Sequence, residues 1–234
     1  MNSNKKNARI AGILYLLIAL TAAFGLMYVP TNIIVPGDAT TTANNIKDSE
    51  LLFRLGIMSQ LICQTIFVFL VLALYRLLKG INKTHASLMV TLVVVAVPIA
   101  FLNTLNQLGA LLVLSGADFL NVFEPDQLTG LMMVFLNLHE LGIAIVLTFW
   151  GLWLIPFGLL VFKSIFIPRM FGVFLIIAGI GYLIASFTGL LFPQYGAIVG
   201  SIAAIPSAIG EFLIILWLLI KGVKDQYSAT TDAI

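Results

Sequence analysis

Long apolar stretches alternate with short polar ones six times along the chain. Each apolar stretch has about 20 residues or more, which is the length that a helix rising about 1.5 Å per residue needs to cross a bilayer core. The predicted spans are roughly Arg9–Val29, Ser49–Lys79, Thr84–Ser115, Pro125–Phe162, Met170–Phe192 and Ile198–Lys221. The pattern predicts an all-α integral membrane bundle of six transmembrane helices.

Prolines and polar links predict where several spans begin and end. Pro30 is expected to end the first span, and no helix is assigned to the polar stretch that follows. Asp48 is expected to cap the second span. Pro125 suits the first turn of the long fourth span, whereas residues 193–196 are predicted to form a turn before the sixth. At about 37 residues, or about 55 Å, the fourth span exceeds the bilayer core of about 30 Å. Its first turns are therefore expected outside the membrane or on its surface.

The composition agrees with a membrane protein. Hydrophobic residues make up 61% of the chain and charged residues 9%, compared with about a quarter charged in a typical soluble domain. A net charge of +2 does not favour nucleic acid binding, and a lone cysteine excludes an intrachain disulfide. The first apolar stretch is longer than a signal-peptide core, so it is expected to be a retained span.

The basic residues predict the orientation. With six spans, ten of the twelve lysines and arginines fall on one side: Lys5, Lys6, Arg9, Arg76, Lys79, Lys83, Lys163, Arg169, Lys221 and Lys224. Cytoplasmic loops carry an excess of these residues. We therefore predict a protein of the cell membrane with both termini in the cytoplasm. Residues 1–224 are predicted to form a single transmembrane domain, and residues 225–234 a short disordered tail.

A set of polar residues falls inside the predicted spans, mostly in their outer halves. Such residues are costly in lipid and tend to face the interior of a bundle. The candidate ligand-binding residues are Arg54, Gln60, Gln64, Asn103, Asn106, Gln107, Asn137, His139, Glu140, Ser207 and Glu211. Spacings of three and four residues place several of them on shared helix faces. Hydrogen bonding between helices alone is an alternative role for the amides.

Glu211 is the strongest single candidate. It is a lone carboxyl about 15 Å from the inner end of its helix, near the predicted midplane. One interpretation is an acid that binds a proton or a ligand. The other is a protonated side chain that serves only helix packing. Glu140 and Arg54 both lie near the outer edge, where an ion pair between them is another expectation.

Enzyme motifs do not fit the sequence. His139 and Glu140 begin like the zinc motif HExxH, but Ile143 occupies the position of the second histidine. Neither a GxSxG elbow nor a phosphate-binding glycine loop is present. No metal and no cofactor are predicted. An enzymatic activity stays open but is not favoured.

Seven segments carry a resemblance to a known family. They are Arg9–Ala19, Leu51–Gly56, Ala73–Lys79, Pro98–Asn103, Phe135–His139, Phe149–Leu154 and Ala208–Phe212. In these segments the chain resembles a bacterial membrane family described as domain of unknown function 4386. The resemblance implies a bacterial multi-pass membrane protein, and it supplies no activity, substrate or cofactor.

Four functions fit these observations. The preferred hypothesis is binding of a small amphiphile or an outer-leaflet lipid in an outward-facing polar pocket. The alternatives are a proton-coupled transporter of a small solute that uses Glu211, an intramembrane enzyme that uses Glu140, His139 and Glu211, and a structural protein. Membrane lipids and a small amphiphile are the expected partners, and the oligomeric state stays open.

Overall fold

The structure, a computed structural model, describes residues 3–222. Its helices are α1 (Ser3–Ala22), α2 (Val29–Ile33), α3 (Ala39–Asp48), α4 (Glu50–Leu78), α5 (Lys83–Val113), α6 (Pro125–Lys163), α7 (Arg169–Leu191) and α8 (Pro193–Ile220). A π-helical turn, Ala23–Tyr28, joins α1 to α2. No strand occurs in the described part of the chain.

Within residues 3–222, six helical stretches are long and apolar enough to cross a membrane. They are Lys5–Ile33, Glu50–Leu78, Lys83–Val113, Pro125–Lys163, Arg169–Leu191 and Pro193–Ile220. The prediction of an all-α, six-span membrane bundle is therefore confirmed. The fourth span has 39 residues, or about 58 Å at 1.5 Å per residue, so it is indeed much longer than a bilayer core.

Apolar side chains cover the exposed face of the last helix. The large apolar residues exposed along α8 include Ile198, Ile202, Ile205, Ile209, Phe212, Leu216 and Ile220. Their spacing of three and four residues places them along one side of the helix. A soluble protein rarely exposes so long an apolar stripe. This surface is suited to lipid, as expected of a multi-pass membrane protein.

Three expected helix boundaries are wrong. The first span continues through Pro30 to Ile33, with Pro30 in the first turn of α2. The Gln60 side chain donates to the Gly25 carbonyl, which the missing N–H of Pro30 leaves without a backbone partner. Pro193 likewise begins α8 and does not form a separate turn. Asp48 is the last residue of α3 and not the cap of the second span.

Helix α3 occupies a region to which the sequence assigned no helix. Asp38 caps it, since the Asp38 carboxylate accepts hydrogen bonds from the Thr41 N–H at 2.8 Å and the Thr41 hydroxyl at 2.7 Å. Both bonds lower the pKa of Asp38, and the bond from the Thr41 N–H has the larger effect. The Asn45 amide donates to the Ile33 carbonyl at 3.0 Å and so ties α3 to the end of α2.

The chain forms two compact units. Unit 1 comprises the described residues of Met1–Leu17, Ile66–Val97 and Ala144–Ile234, and unit 2 comprises Ile18–Thr65 and Pro98–Ile143. The single transmembrane domain of residues 1–224 stays a prediction. The predicted tail, 225–234, lies outside the described residues.

Unit 1 brings two helices together at glycines. A Cβ atom on Gly151 of α6 would lie 2.6 Å from the Gly179 carbonyl oxygen of α7, and one on Gly172 would lie 2.6 Å from the Gly158 carbonyl oxygen. The two glycines of each helix are seven residues apart, which is about two turns. The α6 and α7 backbones therefore touch along one seam, as small residues allow in membrane helices.

Unit 2 has its own apolar core. Its buried members are Val29, Ile33, Ala43, Ile46, Phe53, Ile57, Ala110, Leu111, Val113, Met132 and Leu136. They come from α2, α3, α4, α5 and α6, so α3 is part of the folded core of this unit. Gln60 and Gln64 lie on the same α4 helix, and Asn103 and Gln107 lie on the same α5 helix.

Candidate functional site

Glu211 lies at the meeting point of three helices in unit 1. Its carboxylate accepts one hydrogen bond from the Tyr15 hydroxyl of α1 at 2.7 Å and another from the Tyr182 hydroxyl of α7 at 2.9 Å. Each phenol donates to a different carboxylate oxygen. We call Tyr15, Tyr182 and Glu211 the carboxylate triad. The two donors satisfy part of the hydrogen-bonding capacity of the carboxylate but do not neutralise its charge.

An aromatic cluster adjoins the carboxylate triad. The Tyr15 ring centroid lies 6.2 Å from that of Trp153, which stacks on Phe157 at 5.3 Å and meets Phe67 edge-on at 4.9 Å. Trp153, Phe157 and Phe67 are buried. Their packing fixes the Tyr15 side chain in unit 1. Ser207 is buried one turn before Glu211, and its hydroxyl donates to the Ala203 carbonyl at 2.9 Å.

The glutamines of unit 2 form a second polar group. The Gln60 side-chain nitrogen donates to the Gln107 side-chain oxygen at 3.1 Å and to the Gly25 carbonyl at 3.2 Å. Gln60, Gln64 and Gln107 are each about 5% exposed. We call these three residues the glutamine cluster. The structure thus brings together Gln60 and Gln107, which the sequence placed on different helices.

The Gly25 carbonyl needs a side-chain donor because of the π-helical turn. The Val29 N–H, its usual partner four residues on, donates instead to the Phe24 carbonyl. The residue five positions on is Pro30, which has no N–H. Gln60 supplies the missing donor. Close packing permits this, since a Cβ on Gly25 would lie 2.8 Å from the Gly56 carbonyl oxygen.

Asn103 and His139 form a clamp between α5 and α6 in unit 2. The Asn103 side chain donates to the His139 carbonyl at 2.9 Å, and the His139 Nδ1 lies 3.2 Å from the Asn103 carbonyl. Because a carbonyl only accepts, this nitrogen carries the proton. Asn106 donates to the Asn103 side-chain oxygen at 3.0 Å. A Cβ on Gly142 would collide with that oxygen, so Gly142 leaves room for the clamp.

Three other predicted site residues lie at the surface. Arg54 pairs at 2.7 Å with Glu50, one turn earlier on α4, and not with Glu140. Glu140 and Asn137 are exposed on α6, one turn apart. No group of three or more histidine, cysteine, aspartate or glutamate side chains in the described chain is placed to hold a metal ion.

A comparison with protein families agrees with the seven segments that resemble a known family and with the six apolar helices. A family model described as Domain of unknown function (DUF4386) matches residues 10–222. The chain belongs to this family. No curated protein and no solved structure matches it. DUF4386 membership supplies no activity, so functional arguments rest on the residues.

Two members of the carboxylate triad were missed by sequence reasoning. Tyr15 and Tyr182 sit inside apolar spans, where a tyrosine suits packing as well as hydrogen bonding. A buried tyrosine hydroxyl usually finds a partner, which is the signal that could have linked them to Glu211. Their sequence separations from Glu211, 196 and 29 residues, hide the partnership. Whether all the predicted candidates line one pocket stays a prediction.

Proposed function

We propose that this membrane protein binds a small amphiphile with a cationic head at the carboxylate triad. The supporting observation is the carboxylate of Glu211, whose polar partners among the described residues are two neutral phenols. A carboxylate inside a membrane is costly unless a cation or a proton compensates its charge. A ligand ammonium group would supply the cation.

The surroundings favour an amphiphile over a small hydrophilic cation. Glu211 is only part-buried, and its neighbours Ile209 and Phe212 are exposed apolar residues. A hydrocarbon tail would lie along such residues while the ammonium group meets the carboxylate.

The affinity of the protein for a cationic amphiphile, measured in a bilayer whose lipids carry no net charge, tests this proposal. The purified protein would be placed in phosphatidylcholine nanodiscs and titrated with dodecyltrimethylammonium. We expect Glu211→Gln to weaken binding by about tenfold or more, because the quaternary ammonium, which has no N–H to donate, loses the opposite charge that attracts it. Glu124→Gln is the matched control, because it removes an exposed carboxylate that is not among the candidate residues, and it should bind like the wild type. Equal affinity of Glu211→Gln and the wild type would reject the proposal.

The outward-facing pocket for an outer-leaflet lipid receives less support. The amides that suggested it are largely engaged with each other or with backbone carbonyls: Gln60 with Gln107, and Asn103 with His139. Such bonds suit helix packing in a membrane. Exposed Asn137 and Glu140 stay candidates for contact with lipid headgroups.

Proton-coupled transport is the second candidate, favoured by the same carboxylate. A proton and a cationic ligand would compete for Glu211, which is the requirement for exchanging one for the other. In liposomes with a pH gradient, a transporter would accumulate dodecyltrimethylammonium, and Glu211→Gln would abolish the accumulation. Binding without accumulation would support the first proposal. A purely structural protein would show neither, and Glu211→Gln would alter only its stability.

We also propose that the protein lies in the cell membrane with both termini in the cytoplasm. The support is the excess of lysine and arginine at one set of helix ends. Single cysteines at Asp118 and Asn82, in a Cys63→Ala background, would be exposed to a membrane-impermeant maleimide on intact cells. Labelling only at position 118 is expected, and labelling only at position 82 would reverse the orientation.

A further inference from the structure

Gln64 carries an unexplained buried acceptor. Its side chain is 5% exposed, and its Oε1 atom has no hydrogen-bond partner among the described residues. Buried polar atoms in native proteins are nearly always paired with protein or with ordered water. In α4 this position lies about 21 Å along the helix axis from Leu78, well inside a span. An orphan acceptor there points to a missing donor.

The neighbouring glutamine cannot supply that donor. Gln60 lies one turn from Gln64 on the same face of α4. Its amide nitrogen has two N–H bonds, and they are directed to the Gly25 carbonyl and the Gln107 oxygen. Turning the Gln60 amide around would set its oxygen against two other oxygens. The orientation of Gln60 is therefore fixed by its partners.

Three further side-chain donors of α4 and α5 in unit 2 are engaged elsewhere. Ser59 donates to the Thr21 carbonyl at 2.9 Å, and Thr104 donates to the Phe101 carbonyl at 2.7 Å. The Cys63 thiol points to the Ile18 carbonyl at 3.8 Å. None of these groups, nor any other described residue, donates to the Gln64 oxygen, which leaves room for a group from outside the chain.

We propose that Gln64 is a binding site for one neutral hydroxyl group, which donates its hydrogen bond to Oε1. The hydroxyl belongs either to an ordered water molecule or to the head of an uncharged lipid. Neutrality follows from the surroundings, because the glutamine cluster contains only uncharged amides and a charged guest would be left uncompensated. Bound water commonly satisfies buried groups of this kind. The site is separate from the carboxylate triad, whose members lie in unit 1.

Replacing Gln64 by a side chain of similar shape tests the site. Gln64→Met removes the acceptor and keeps most of the volume. If the oxygen is an orphan, its removal leaves the unfolding midpoint unchanged or raises it. If a hydroxyl is bound there, the midpoint falls by roughly 2–4 °C. Gln194→Met, an exposed glutamine of α8, is the control and should leave the midpoint unchanged.

The source of the hydroxyl is identified by the lipid. The wild type and Gln64→Met would be compared in nanodiscs of phosphatidylcholine, with and without 1-monooleoylglycerol. An equal decrease in both bilayers supports water, and a larger decrease with monooleoylglycerol supports a lipid hydroxyl. No decrease in either bilayer overturns the proposal.

A measurement on the wild type covers the case in which Gln64→Met does not fold. Solid-state NMR on protein labelled at the glutamine side chains would follow magnetisation from water or lipid hydroxyl protons to the Gln64 side-chain carbonyl. Transfer from either source supports the site. A lack of transfer from both, with transfer seen at exposed Gln194, overturns it.

Discussion

Gly158 of α6 and Gly172 of α7 leave no room for a side chain between them. A Cβ on Gly158 would lie 2.7 Å from the Gly172 carbonyl oxygen, and one on Gly172 would lie 2.6 Å from the Gly158 carbonyl oxygen. Gly151 and Gly179 repeat the relationship two turns away. Backbone meets backbone at both points, so neither site can relax by turning a side chain.

Gly172→Ala should therefore destabilise the protein by about 1–3 kcal/mol, the usual cost of overpacking. The measurement is the free energy of unfolding in detergent or bicelles. Gly130→Ala on α6 is the matched control, because nothing lies within 4 Å of the added atom. The control should be neutral or slightly stabilising, as alanine is the better helix former. Equal stabilities of the two variants would show that the seam does not restrict the fold.

Gly142→Ala should break the clamp between Asn103 and His139. The added methyl group would occupy the place of the Asn103 side-chain oxygen, and we expect a loss of about 1–3 kcal/mol. In the double variant with Asn103→Ala the collision is absent. The stability losses of the two single variants, Gly142→Ala and Asn103→Ala, should therefore sum to more than the loss of the double variant, because the two residues are coupled. Strictly additive losses would contradict the clamp.

Gln60→Met should leave the Gly25 carbonyl without a donor and reduce the stability by about 1–3 kcal/mol. Pro30→Ala adds an N–H five residues after Gly25, within reach of the same carbonyl in a π-helical turn. In the background of Gln60→Met, that second change should restore part of the loss. Thermal unfolding of the four proteins measures the coupling. No recovery would mean that the carbonyl does not need the donor.

Asp38 predicts an acid-sensitive start to α3. Its folded-state pKa lies below the ordinary value of 3.8, so the ionised cap stabilises the helix above pH 3.8. That contribution is lost as the pH falls through the lower folded-state pKa. Hydrogen exchange at the Thr41 amide should accelerate over this range. In Asp38→Asn, which keeps a capping oxygen without a charge, exchange should lose this dependence on protonation. An unchanged profile in that variant would contradict the assignment.

The sequence predicts the six spans well because their signal is local. Length and hydropathy alone place them, and the structure moves the ends by a few residues. Helix α3 was missed because its exposed residues are polar, although Asp38, three residues before Thr41, is a typical helix cap. The pair Arg54–Glu50 was also within reach, since residues four apart on a helix are neighbours.

The helices that meet at the carboxylate triad could not be predicted, because the contacts of the triad are not local. Helical spacing places Ser207 and Glu211 on one face, but it cannot tell which helix meets that face. Tyr15 and Tyr182 are ordinary members of apolar spans until the fold brings them to Glu211. The π-helical turn could not be predicted either, since a change in hydrogen-bond register at residues 23–28 leaves little trace in composition.

The hydrogen bond between Tyr15 and Glu211 can form only late in the synthesis of the chain. The two residues are 196 positions apart, and a ribosome adding roughly 5–20 residues per second takes roughly 10–40 s to pass from one to the other. Throughout that interval α1 is already made, while the acceptor for Tyr15 and the Leu219 backbone against which Gly12 packs are still to come. The first helix to be synthesised is thus among the last to reach its final contacts, and a chain that stops before α8 leaves it without them.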